Sequence, residues 1–326
     1  MSACVEIKNL YKTYHRRRWL FGAGEAVEVL KDVTLSLAEN RVLGLVGESG
    51  CGKSTLCKVL LGIEKPTSGT VVVQGQEVAA STPAQLKKMR RVMQVIYQDP
   101  YGSLDPRMTV RQLLSGPLDI HKLYLDKHER NKFLEELVQA VGLSPEHLNR
   151  YPHEFSGGQR QRISIARALA LDPHILVADE PVSALDVSVQ AQILNLLRDI
   201  KQRRKLSVLF VTHDFAVARF LCDDIAVMYQ GRIMEKAPAE QLLARPMHPY
   251  TQTLVSAVPE VGKALTSEPE EKASGPSTGT GCPFAPRCSK AKEVCRQQIP
   301  TLVETAPGHW CACACLTQGE TNDLKS

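Results

Sequence analysis

The feature that most constrains this chain is a glycine-rich loop between an apolar run and a helical stretch. The loop and the residue after it read Gly47, Glu48, Ser49, Gly50, Cys51, Gly52, Lys53, Ser54 and Thr55. The apolar run 41–47 predicts a buried strand, and a helix is predicted from about residue 55. Glycines let the backbone wrap around phosphate, and N–H groups at a helix start attract an anion. The phosphate loop, as residues 47–54 are called below, therefore predicts nucleotide binding.

The last two residues of the phosphate loop have separate predicted roles. In the pattern G-x-x-x-x-G-K-[ST], the lysine bridges the β- and γ-phosphates and the hydroxyl residue binds Mg²⁺. Lys53 and Ser54 occupy these two positions. We expect ATP and Mg²⁺ here, with nucleotide contacts from Gly47, Ser49, Gly50, Cys51, Gly52, Lys53, Ser54 and Thr55.

A second predicted strand, 175–178, ends in two adjacent carboxylates, Asp179 and Glu180. Neighbouring residues of a strand point to opposite sides. One carboxylate can therefore reach Mg²⁺ while the other faces the attacking water, and phosphoryl transfer needs both roles. We assign Asp179 to Mg²⁺ and Glu180 to the water, as general base.

Two further polar side chains follow predicted strands. Gln98 follows the strand 92–97, and His213 follows the strand 206–212. Open α/β sheets bind ligands at the carboxyl ends of their strands. We therefore place both side chains at the γ-phosphate, with Gln98 also serving Mg²⁺ and the water, and His213 stabilising the transition state.

A second anion-binding loop precedes a helix predicted from about residue 160 to residue 171. Its residues are Ser156, Gly157, Gly158 and Gln159. The helix dipole and the free N–H groups at such a helix start favour a phosphate. Because the chain already has one phosphate loop, we expect this Ser-Gly-Gly-Gln loop (156–159) to serve the nucleotide of another subunit.

Together, in this order and spacing, these motifs resemble the nucleotide-binding subunits of ABC transporters, over about residues 5–258. The resemblance implies an ATPase that forms a head-to-tail pair. Each of two ATP molecules would lie between the phosphate loop of one subunit and the Ser-Gly-Gly-Gln loop of the other. The resemblance also assigns Tyr14 to stacking on adenine and Asp186 to the seam of the pair.

A finer resemblance comes from residues 98–107, 150–156 and 248–251, which are similar to the ATPase subunits of bacterial dipeptide, oligopeptide and nickel importers. It implies peptide import at the cytoplasmic face of the inner membrane. The implied partners are a paralogous ATPase subunit, two transmembrane permease subunits and, indirectly, a periplasmic binding protein. Import of nickel, a metallophore or glutathione is one alternative. A soluble ABC protein acting outside transport is another.

Short β-rich runs alternate with helical stretches, which predicts an α/β fold. The resemblance implies a P-loop NTPase core of the ABC type with an antiparallel β subdomain, and the lack of a strand candidate at about 100–170 predicts an inserted helical subdomain there. The predicted boundaries are an ATPase domain at 1–258, a flexible linker at 259–281 and a C-terminal module at 282–326.

The net charge of +5 is small, and the basic residues that produce it are scattered along the sequence, which argues against a nucleic-acid partner. No apolar run of 18 or more residues and no hydrophobic signal region occurs, so we expect a peripheral subunit.

Six of the ten cysteines lie in the C-terminal module. In a reducing cytosol they would rarely form disulfides, so a metal site is one explanation. The gaps between successive cysteines are longer than the C-x2–4-C that opens most zinc sites, which favours a [4Fe–4S] cluster over zinc or a metal-free tail. The predicted ligands are Cys282, Cys288, Cys295 and, by resemblance, Cys313, with Cys311 and Cys315 as alternatives for the fourth.

Overall fold

The computed structural model describes residues 2–16, 25–124, 126–257 and 280–316. The described strands are β1 (Ala3–Arg16), β2 (Glu25–Ala38), β3 (Val42–Val46), β4 (Ser68–Val73), β5 (Gln76–Glu77), β6 (Met93–Ile96), β7 (Ile175–Asp179), β8 (Ser207–Thr212), β9 (Asp224–Tyr229), β10 (Arg232–Pro238), β11 (Val303–Ala306) and β12 (His309–Cys311). The described helices are α1 (Lys53–Leu60), α2 (Pro83–Val92), α3 (Pro100–Ser103), α4 (Val110–His121), α5 (Lys127–Ala140), α6 (Gly157–Leu169), α7 (Val187–Arg204), α8 (Phe215–Leu221), α9 (Ala239–Ala244), α10 (Pro249–Ser256) and α11 (Glu293–Gln297).

The larger sheet has eight strands in the order β11-β12-β10-β9-β3-β8-β7-β6. Its strands β9, β3, β8, β7 and β6 run parallel, whereas β10, β12 and β11 continue the sheet antiparallel. Every residue of β3 and β8 is buried. Parallel strands covered on both faces have such near-continuous apolar sequences. The predicted α/β core is confirmed.

The smaller sheet has four antiparallel strands in the order β2-β1-β4-β5. It corresponds to the antiparallel β subdomain expected from the resemblance. Helix α1 packs between the two sheets, where its buried residues Leu56, Val59 and Leu60 join apolar side chains from both. The helix that begins inside the phosphate loop is therefore held from both sides.

The segment between β6 and β7 is helical, as predicted. It contains α3 to α6 and two short 3-10 turns, Pro145–Asn149 and Pro152–Glu154, with no strand among its described residues. Buried leucines and valines of α4 and α5 form its core with α6. Helix α6 begins at Gly157 rather than near residue 160, because Ser156 caps it.

The C-terminal module joins the main sheet. Strand β12 pairs with β10, so that Glu235 lies opposite Cys311. Most of the predicted linker at 259–281 lies outside the described residues, which resume at Thr280. The described part of the module is thus packed on the ATPase core, whereas the sequence suggested a separate tail.

Among the described helices, none combines the length and the apolar character needed to cross a membrane.

Candidate nucleotide site

The phosphate loop connects β3 to α1, as its motif requires. A Cβ on Gly47 would collide with the backbone oxygen of Met228, so only glycine fits at the start of the loop. Gly52, the residue before α1, has φ +114, a left-handed conformation that favours glycine. Ser49 and Gly50 lie exposed at the tip of the loop. The backbone therefore takes the open turn that phosphate binding needs.

Lys53 is the first residue of α1, and only 4% of its surface is exposed. Its Nζ donates to the carbonyl oxygens of Gly47, at 2.6 Å, and Glu48, at 2.9 Å. It also lies 4.0 Å from Cys51 Sγ. The ammonium group is thus fixed inside the loop, where it can contact phosphate oxygens. Thr55, two residues further along α1, is half-buried.

Ser54 and Asp179 meet at the end of β7. The Ser54 hydroxyl donates to Asp179 Oδ1 at 3.4 Å. Burial raises the pKa of Asp179, and the hydrogen bond from Ser54 opposes that shift. Two hard oxygen donors therefore lie side by side, as a Mg²⁺ site requires.

Glu180 is the centre of the polar cluster. Lys53 Nζ lies 3.8 Å from Glu180 Oε1, Gln98 Nε2 donates to Oε2 at 3.2 Å, and His213 Nδ1 lies 3.4 Å from Oε2. The structure therefore brings together six predicted site residues: Lys53, Ser54, Gln98, Asp179, Glu180 and His213.

Asp179 and Glu180 are not neighbours within a strand, as the sequence predicted, because β7 ends at Asp179. Glu180 has φ +47, and its N–H donates to Val211 O at 3.0 Å. The chain turns at Glu180, so strand alternation does not describe its side chain. The turn directs the carboxylate toward Lys53.

Comparison with known proteins agrees with this geometry. A family model described as "ABC transporter" matches residues 30–183, and one described as "Oligopeptide/dipeptide transporter, C-terminal region" matches residues 234–295. The oligopeptide transport ATP-binding protein AppF of Bacillus subtilis is 43% identical over 95% of this chain and 96% of its own length. The chain belongs to the ABC transporter ATP-binding subunits.

Two further comparisons extend this result. The di/tripeptide transport ATP-binding protein DppF of Pseudomonas aeruginosa is 44% identical to this ABC ATPase, over 93% of this chain and 94% of its own length. Among solved structures, a dimeric bacterial ABC transporter cassette has a TM-score of 0.64 and 32% identity, covering 72% of this chain and 98% of the cassette.

The Ser-Gly-Gly-Gln loop of the ABC ATPase starts α6 with a capping box. The Gln159 N–H donates to Ser156 Oγ at 3.3 Å, and the Ser156 N–H donates to Gln159 Oε1 at 3.1 Å. Ser156 is exposed, and Gly157 and Gly158 are half-buried. None of the described contacts joins this loop to the phosphate loop of the same chain. Its predicted service to a partner's nucleotide stays a prediction.

Tyr14 lies on β1, opposite Val27 of β2. Lys12 Nζ is 4.8 Å from the centre of its ring. The described contacts do not connect Tyr14 with the phosphate loop, so its role in binding adenine also stays a prediction.

The predicted iron–sulfur cluster on Cys282, Cys288, Cys295 and Cys313 is wrong. Among the described residues, no group of three or more His, Cys, Asp or Glu side chains is placed to hold a metal ion. Neither matched family description names a cluster. Instead, Cys295 Sγ contacts Cys315 Sγ at 3.5 Å. Burial raises the pKa of Cys282 to about 11. Burial favours the neutral thiol there, whereas metals bind the thiolate.

Sequence reasoning missed the residues that hold the phosphate loop from outside. Tyr250 Oη accepts a hydrogen bond from the Glu48 N–H at 3.1 Å, and Arg287 pairs with the Glu48 carboxylate. Tyr250 belongs to the segment 248–251 that carried the finer resemblance, but that pattern did not indicate a contact with the loop. Arg287 follows Glu48 by 239 residues, and no spacing rule connects them.

Proposed function

We propose that this ABC ATPase hydrolyses ATP to power the import of di- and oligopeptides across a bacterial inner membrane. The observation that carries the proposal is the match, over nearly the whole chain, to proteins named for peptide transport. The match of the C-terminal segment to an oligopeptide/dipeptide transporter region supports the same cargo class.

The residues of the site suit ATP and Mg²⁺. The Ser54 hydroxyl, the Asp179 carboxylate and the Gln98 amide oxygen are hard donors that would hold Mg²⁺. When bound, Mg²⁺ neutralises charge on the phosphates. Lys53 donates two of its ammonium protons to loop carbonyls, and the third has only distant neighbours in Glu180 Oε1 at 3.8 Å and Cys51 Sγ at 4.0 Å. That proton would donate to a phosphate oxygen.

Glu180 is the proposed general base. Its carboxylate is largely buried and touches three polar side chains, so it is held in one orientation. Gln98 would orient the attacking water, and His213 would donate to the γ-phosphate. Positioning and charge stabilisation supply most of the catalysis in phosphoryl transfer. The cluster provides both without a covalent step.

The proposed partners follow from the Ser-Gly-Gly-Gln loop, whose Ser156 is exposed, and from the family. A second ATPase subunit, a paralogue in the head-to-tail arrangement, would place its own loop over the ATP of this chain. Two transmembrane permease subunits would carry the peptide, with a periplasmic binding protein acting indirectly. The ABC ATPase would then work at the cytoplasmic face of the membrane.

Uptake by the assembled importer tests this proposal. The chain is co-expressed with the membrane and ATPase subunits encoded beside it, and the complex is reconstituted in proteoliposomes with its binding protein. We expect uptake of labelled di- and oligopeptides that requires ATP and is lost in a matched complex carrying Glu180→Gln. Uptake of nickel, a metallophore or glutathione without peptide uptake would contradict the peptide assignment and leave the ATPase role intact.

A further inference from the structure

Two residues outside the phosphate loop, Arg287 and Tyr250, contact the loop at Glu48. Arg287 Nη1 donates to both Glu48 carboxylate oxygens, at 2.9 Å each. The Glu48 N–H donates to Tyr250 Oη at 3.1 Å, and the Glu48 carbonyl accepts from Lys53 Nζ at 2.9 Å. Every polar group of Glu48 therefore has a partner, and two of these partners lie outside the ATP-binding motifs.

An aromatic cluster places Arg287 and Tyr250. Phe284 of the C-terminal module is buried, and its ring centre lies 5.4 Å from that of Tyr229 and 5.3 Å from that of Tyr250. The Arg287 guanidinium lies 5.7 Å from the Phe284 ring centre and 5.9 Å from the Tyr229 ring centre. The module is thus anchored by Phe284, which presents Arg287 to Glu48.

The charge of Glu48 matters because of its position. It is an anion inside a loop whose backbone N–H groups bind phosphate, and an unpaired carboxylate there would repel the ATP polyphosphate. Arg287 cancels that charge and also keeps the side chain turned toward the module. Both groups are partly exposed, with 27% and 39% of the Arg287 and Glu48 side chains accessible, so the effect is modest and sensitive to salt.

We propose that Arg287 is a positioning residue for ATP binding, by which the C-terminal module sets the charge and conformation of the phosphate loop. The inference rests on the proposed ATP site and adds a residue that the ATPase motifs do not contain. It gives the module a function at the nucleotide, independent of its thiols.

The test is equilibrium binding of the fluorescent nucleotide TNP-ATP with Mg²⁺ to the full chain. We expect Arg287→Ala to raise the Kd about fivefold, the scale of a partly exposed ion pair. In a Glu48→Gln background the same change should cost less than about twofold, because no carboxylate is left to neutralise. In about 1 M salt the fivefold difference should also shrink.

Matched controls separate this effect from misfolding. Arg296→Ala removes an exposed arginine of the same module and should bind like the unaltered chain. Thermal unfolding checks each variant, and Arg287→Gln, which keeps most of the side-chain length, replaces Arg287→Ala if the latter does not fold. In the assembled importer, the KM for ATP should rise while kcat stays within about twofold, because no group of the Glu180 cluster is changed.

Two results overturn the proposal: unaltered affinity in the Arg287 variants, or an equal loss of affinity in the Glu48→Gln background. Lys53→Ala in the same titration distinguishes a failure of the underlying site. If that variant keeps full affinity, the proposed ATP site itself is wrong.

Discussion

The buried carboxylate of Glu235 should be among the most sensitive positions for stability. Glu235 lies on β10 with 0% exposure. Its Oε1 accepts from the Met247 N–H at 2.8 Å, and its Oε2 accepts from the His248 N–H at 2.9 Å. His309 Nε2, on β12, lies 2.6 Å from Oε1. One side chain therefore ties the C-terminal module and the start of α10 to the main sheet.

The cost of removing this carboxylate follows from its contacts. Glu235→Ala leaves the buried His248 N–H and the half-buried Met247 N–H without an acceptor, at about 1–3 kcal/mol each, and also leaves the buried His309 ring without its partner. Three polar groups left unpaired at that cost give an expected loss of about 3–5 kcal/mol. Glu235→Gln keeps one acceptor oxygen and nearly the same volume, and should lose about 1–3 kcal/mol.

Urea unfolding measures both losses. Far-UV circular dichroism follows the whole fold, and the fluorescence of Trp310 on β12 follows the module in a Trp19→Phe background, since the chain has two tryptophans. Glu240→Ala, an exposed carboxylate on α9, is the matched control and should stay within about 0.5 kcal/mol of the unaltered chain. If Glu235→Ala and Glu240→Ala unfold at the same urea concentration, the reasoning from buried hydrogen bonds is refuted.

Three further predictions concern the site and its support. Glu180→Gln should bind ATP but hydrolyse it about 10²–10⁴ times more slowly in a phosphate-release assay, and an unaltered rate would remove Glu180 as general base. Lys53→Ala should lose most of its affinity in a nucleotide titration, because its buried ammonium is the cation fixed inside the loop. Burial lowers the pKa of His248, whose Nδ1 accepts from the Tyr250 N–H at 3.0 Å, to about 4. The unfolded chain then binds the proton more tightly than the folded chain does. The stabilisation from neutral His248 should therefore be fully present above pH ~6.5, and the free energy of unfolding should fall by up to roughly 3 kcal/mol as the pH drops toward the folded pKa. In His248→Asn, which can still cap α10, the urea midpoint should depend less on pH across this range. An unchanged pH dependence would exclude His248 as its source.

Much of the nucleotide site was predictable from the sequence, because it is built from local patterns. The phosphate loop combines a strand, a glycine turn and a helix within about twenty residues. Gln98, Asp179 and His213 each follow an apolar run, and parallel strands bring their carboxyl ends to one edge of the sheet. Backbone geometry of this kind depends on short segments, so these side chains met where the sequence predicted.

The exact pose of Glu180 was not predictable in this way. Strand alternation holds only inside a strand, and the hydrogen bond from Glu180 N–H to Val211 O turns the chain just after Asp179. The cysteine spacing also led to a wrong prediction, that of the iron–sulfur cluster. Spacing counts residues, whereas a metal site needs several sulfur atoms at one point, and the described thiols do not form such a group.

The sequence by itself determined the ATPase family, the phosphate loop and four buried strands of the main sheet, because short motifs and hydrophobic periodicity encode local structure. Only the tertiary structure decided where the C-terminal module lies and what it contacts. Its strand β12 joins the main sheet, and its Arg287 pairs with Glu48 across 239 residues of sequence. Contacts between segments so far apart depend on how sheets and loops pack, and no local pattern records them.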